Sequence, residues 1–191
     1  MKRVILIGLV LLIAASAIGQ TLNVDSLVNV LETKQLTTDE KLLLYSDICY
    51  YYLGSDPQKA KLYIQEAISF AEKENSAKYL GGYFGYLGSL YKFEGNYDYA
   101  IDAYNKGLNY SIKAKHEPGI AFLYGGIAEI YLMQAQLTIA LDYMLKSLSI
   151  YEKDESFRSK SQQVNMLNNI GSLHRKMENA DLAIDFLKKQ K

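Results

Sequence analysis

Two histidines, one cysteine and one glycine-rich run are the features of this sequence whose residue types bear on chemistry. His116 lies in Lys115-His116-Glu117-Pro118, and His174 in Leu173-His174-Arg175. A zinc site needs three or four Cys, His or carboxylate ligands brought together, and neither histidine has Cys or paired carboxylates beside it. The pattern predicts a solvated loop residue for His116 and a core-packing ring for His174. Cys49 alone builds neither a disulfide nor a thiolate metal site. The run Gly81-Gly82-Tyr83-Phe84-Gly85-Tyr86-Leu87-Gly88 has the glycine content of a phosphate-binding loop. Its spacing is wrong for one, no strand precedes it, and its apolar period is helical. Metalloprotease and nucleophile-elbow patterns are absent from the sequence. The expectation is a protein that is not an enzyme, with no catalytic residue, no metal and no cofactor.

The elements that would position any site are set by composition and period. The chain has 191 residues, 49% of them hydrophobic, with 17 Tyr, no Trp and two Pro. This apolar content argues against disorder, and the scarcity of proline favours long helices. Lys and Arg number 21, as do Asp and Glu, so no global positive field exists to hold a phosphate backbone. Nucleic acid is therefore not an expected partner.

Residues 1–19 read as a secretory signal peptide: Lys2 and Arg3, an apolar run from Val4, then small residues at Ala15, Ala17 and Gly19. The uncharged stretch from Val4 to Ile18 is shorter than the roughly 20 residues that span a bilayer as helix. Cleavage is expected after Gly19, with Ala17 the second choice, and no membrane insertion thereafter. Loss of Lys2 and Arg3 leaves two more acids than bases. Cys49 would then enter an oxidising compartment unpaired, which argues for burial.

Ala60, Ala100 and Ala140 are forty residues apart, and Ala183 lies forty-three further on. Twelve residues before each stands Ile48, Gly88, Ala128 or Gly171, and three after those stands Tyr51, Tyr91, Tyr131 or His174. Inside a unit apolar residues fall at helical spacing, as in Leu80, Tyr83, Phe84, Leu87, Leu90 and Tyr91, so each unit is two amphipathic helices. Gly54-Ser55-Asp56-Pro57, Gly95-Asn96 and Glu178-Asn179 mark the turns between them. Thr37 and Glu40 have capping-box spacing, and Asp25 to Glu32 forms a short leading helix. Gly88 and Ala100 let the two helices approach. One such pair cannot bury its apolar face alone, so the units stack. The expected organisation is 1–19 signal peptide, 20–38 leading helix and linker, and 39–191 solenoid. Its units run about 39–75, 76–115, 117–155 and 158–191, the last incomplete.

Leu87-Gly88-x-x-Tyr91 and Gly95-x-Tyr97-x-x-Ala100-x-x-x-Tyr104-x-x-Gly107 resemble a tetratricopeptide repeat. Ile127-Ala128-x-x-Tyr131 with Ala140 and Met144 repeats the motif, and Ile170-Gly171-x-x-His174 with Ala183 is a fainter copy. The first unit departs from it, with Asp47 where Leu is expected. A period of forty, against the family's usual thirty-four, resembles the variant found in exported bacterial sensor and regulator proteins. The resemblance implies an all-α, right-handed solenoid of about four helix pairs.

It also implies that the first helix of each unit lines a concave groove. The residues placed there are Tyr45, Cys49 and Tyr52; Gly85, Ser89 and Lys92; Gly125, Glu129 and Leu132; and Asn168, Ser172 and Arg175, with Asn165 beside them. Gly85 and Gly125 have two readings that stay open: a floor cleared for a peptide, whose backbone Asn165 and Asn168 would bond, or small residues that permit tight curvature. The family's carboxylate clamp for chaperone tails is not reproduced, since Tyr45 and Cys49 stand at its first two positions. Most tyrosines fall at repeat core positions.

The fourth unit reaches Lys191 without a capping helix, which leaves an uncapped repeat open to self-association. The expected function is a non-catalytic exported scaffold, periplasmic or secreted, that binds a protein or peptide in its groove. The alternative is the ligand-sensing N-terminal portion of a membrane signalling regulator of histidine kinase or helix-turn-helix type, truncated or free-standing here.

Overall fold

A computed structural model describes residues 24–154 and 156–189; the expected signal peptide and its cleavage site lie outside them. The described residues form eight helices and no strand: α1 (Val24–Thr33), α2 (Thr38–Leu53), α3 (Pro57–Lys73), α4 (Ala77–Phe93), α5 (Tyr97–Lys113), α6 (Glu117–Met133), α7 (Leu137–Tyr151) and α8 (Phe157–Lys189).

Local chemistry explains where they begin. The capping box at α2 is complete, with the Glu40 carboxylate accepting from the Thr37 N–H at 2.8 Å and the Thr37 hydroxyl accepting from the Glu40 N–H at 3.3 Å. The Thr37 N–H, together with the Thr37 hydroxyl donating to the same carboxylate at 2.9 Å, holds the Glu40 carboxyl below its ordinary value. Asp56 caps α3 by accepting from the N–H groups of Gln58 and Lys59 at 3.1 Å each, and Pro57 follows it in the first turn. Pro118 opens α6 in the same way. At the other ends, Asn75, Gly95, Lys115 and Ala135 all take a left-handed backbone, with φ between 52° and 77°, just past the ends of α3, α4, α5 and α6. One turn geometry therefore recurs, whether the connection lies inside a unit or between units.

Consecutive helices pack as pairs, α2 on α3, α4 on α5 and α6 on α7, and α1 lies against α2. The first helices also touch along the stack, α2 against α4 and α4 against α6, whereas no close backbone approach joins α3 to α5 or α5 to α7. This asymmetry puts the first helices on the inside of the curve. The architecture is an all-α solenoid.

Tyrosine side chains stitch the units together. Tyr83 is fully buried and donates its hydroxyl to the Leu42 carbonyl at 2.5 Å, tying α4 to α2. The ring of Tyr104 lies between two glycines: a Cβ on Gly88 would stand 2.7 Å from it, and one on Gly126 only 2.6 Å. Gly88 thus clears space for a ring from α5, the helix it pairs with.

Two expectations are corrected in the fourth unit. The turn at Glu178-Asn179 does not form, because α8 runs unbroken from Phe157 to Lys189. The stretch from Lys176 to Ala183 holds neither Gly nor Pro, the strongest helix breakers. Three helix pairs followed by one long helix therefore replace four pairs. His174 is exposed rather than core-packed, since Met166, Ile170, Leu173 and Met177 form the packing face of α8 and His174 is one step off it.

Candidate binding groove

The inner side of the curve is built from α2, α4 and α6. A recess of about 740 Å³ opens there, with Asp47, Tyr50 and Tyr51 contributed by α2, Tyr86, Ser89 and Phe93 by α4, Phe122 by α6, and Leu27 reaching in from α1. The rings of Tyr86 and Phe122 meet edge to face, centroids 6.5 Å apart. Several of these rings are open to solvent, Tyr50 at 73% and Phe93 at 65%, and Met133 lies exposed at the end of α6. Beyond the recess Lys92 of α4 is paired with Glu129 of α6. Lys92 is the covered partner, at 10% side-chain exposure against 49% for Glu129, and its ammonium also lies 5.1 Å from the Phe93 ring.

The site residues read from the sequence fall into three groups. Ser89 and Lys92 lie on α4 and Glu129 on α6, with Lys92 and Glu129 bridging the two; the Ser89 hydroxyl is bonded to that of Tyr104 at 3.0 Å. Tyr45 and Tyr52 do not face the groove. They are 7% and 4% exposed, with the Tyr45 ring 6.0 Å from Phe70 and Tyr52 stacked on Tyr63 at 5.5 Å, both partners on α3. Cys49, between them, is fully buried, and burial with the nearby Glu66 pushes its thiol up to about 12. The inner-facing positions of α2 are instead Asp47, Tyr50 and Tyr51, a step around the helix from those expected.

Gly85 is not a bare floor. A Cβ there would stand 2.8 Å from the Phe122 ring and 3.0 Å from Leu123, so this glycine lets α6 close on α4. Gly125 is different, because a Cβ would meet Met166 of α8 at 3.6 Å, an ordinary contact. Leu132 is half-buried in the cluster around Ala140 and Met144. On α8, Asn165, Asn168 and Arg175 are exposed and Ser172 is half-buried.

His116 is not a free loop residue. It is the residue before α6, half-buried, and its Nδ1 and the Ser111 hydroxyl oxygen are buried without a hydrogen-bond partner among the described residues. Burial, aided by the Lys78 charge, lowers its pKa.

Three packed helix pairs, a recurring turn and a concave face lined by first helices define a helical-repeat protein. The tetratricopeptide repeat pattern matches residues 86–111 and 164–190. In these two segments the chain carries tetratricopeptide repeats. Its fold is similar to the crystal structure of BtubC (BKLC) from P. vanneervenii, with a TM-score of 0.65 and 19% identity over 83% of this chain and 64% of that one. It is also similar to the apo form of RapI, with a TM-score of 0.63 and 18% identity over 84% of this chain and 44% of that one. The chain therefore spans less than two thirds of either structure's length. Identity at this level speaks to the fold alone. No curated protein sequence matches the chain.

Proposed function

We propose that the protein is a non-catalytic, exported scaffold that holds a protein or peptide partner against its concave face. Tetratricopeptide repeats are interaction modules, which supports the general class. The observation that carries the specific reading is the set of exposed apolar side chains on the inner helices: Tyr50 and Phe93 at the recess and Met133 beyond it. A row of such groups left in water marks a surface that gains by being covered. Export rests on the signal-peptide pattern of residues 1–19. No helix among the described residues is long and apolar enough to cross a membrane.

Capture from a periplasmic extract tests this reading. Phe93→Glu combined with Met133→Glu places charge on the inner helices at positions that are already exposed, so the fold should survive, as helical circular dichroism would confirm. Wild type should retain partners that the double variant loses. Equal capture by both proteins would contradict a concave binding face.

A further inference from the structure

The recess is built where the repeat pattern fails. One position before the small residue of each first helix, the later units carry Leu87, Ile127 and Ile170, and both isoleucines are buried. The first unit carries Asp47 at that position, and Asp47 lines the recess with the rings of Tyr50, Tyr51, Tyr86, Phe93 and Phe122. It is the one charged residue in that lining among the described residues, and it has no ion pair or hydrogen bond among them. On the inner face, Lys92 is paired with Glu129. Asp47 is an exposed side chain, and desolvation by its surroundings raises its carboxyl above the ordinary value.

Aromatic faces attract a cation through their negative quadrupole, and a carboxylate beside them supplies the counter-charge. A neutral apolar group would bury Asp47 further with nothing to offset its desolvation, and an anion would be repelled. A long aliphatic stem ending in positive charge satisfies both features of the recess: the stem lies along the rings and the head reaches the carboxylate. We propose that the recess takes the Arg or Lys side chain of a peptide partner, with Asp47 as the counter-ion and the surrounding rings as the cage. This inference rests on the concave-face reading above and names the chemistry that this face selects.

The test is a set of ¹⁵N–¹H NMR titrations of the protein with four capped tripeptides, Ac-Leu-X-Leu-NH₂, where X is Arg, Lys, norleucine or Glu. The Arg and Lys peptides should shift the amides of Tyr50, Tyr86 and Phe122 in a saturable way, and norleucine should bind about tenfold more weakly. Asp47→Asn should bring the Arg peptide down to the norleucine level. Asp47→Leu, which restores the residue type of the later units, should do the same with the fold intact. If norleucine binds as well as Arg, or if Asp47→Asn changes nothing, cation selection is wrong although a peptide groove remains. If none of the four shifts an inner-face amide, both readings fall.

Discussion

Half-buried His116 shows how a single side chain in this solenoid sets a condition on stability. Its pKa is lowered in the folded chain, first by burial and then by Lys78. The unfolded chain takes up the proton near the ordinary value of 6.5, while the folded chain resists it. The neutral ring therefore contributes stability that is fully present above pH 6.5 and is lost as pH falls from there toward the folded pKa. Urea midpoints measured between pH 7.5 and 5.5 should drop less for His116→Gln than for wild type; parallel curves would contradict the assignment. The sequence placed His116 next to Pro118 but gave no sign of its burial, because that depends on α5 and α6 meeting around Ser111. Cys49 is the opposite case. An unpaired cysteine pointed to burial, and the thiol is covered from every side.

At the scale of helices, the starts that rest on local rules were readable. Asp56-Pro57, the Thr37 capping box and the leading helix are each spelled in a few neighbouring residues, and each forms. The inner face of α2 was not readable to within one helical step. Tyr45 and Tyr52 and their exposed neighbours Tyr50 and Tyr51 are alike in type, and only the packing of Tyr45 on Phe70 and Tyr52 on Tyr63 decides which pair is buried. The recurring left-handed turn also has a consequence. Ala135 holds φ at 58°, a conformation that crowds its Cβ against the backbone, at the position where Gly95 stands after α4. Ala135→Gly should therefore stabilise the protein by about 1 kcal/mol, against the usual direction for glycine. Chemical denaturation would show it, and a lower midpoint would mean that the alanine is not strained.

Across the whole molecule, one asymmetry organises fold and function together. The helices α2, α4 and α6 touch in succession whereas α3, α5 and α7 do not, so the curve closes on the first set. Gly85 belongs to this architecture: it brings α6 onto α4 and so places Phe122 beside Tyr86. Its role in curvature was one of two readings open in the sequence, and the packed Phe122 and Leu123 support that one. Exposed rings of Tyr50, Tyr51, Phe93 and Phe122, with Asp47 beside them, line the recess on this side. Photo-crosslinking tests that placement most directly, with p-benzoylphenylalanine at Phe93 on the inner side and, as a control, at Leu62, an exposed position of α3 outside the recess. In an extract containing the partner, the account predicts an adduct from position 93 and none from position 62. Adducts from position 62 alone, or equally from both, would contradict it.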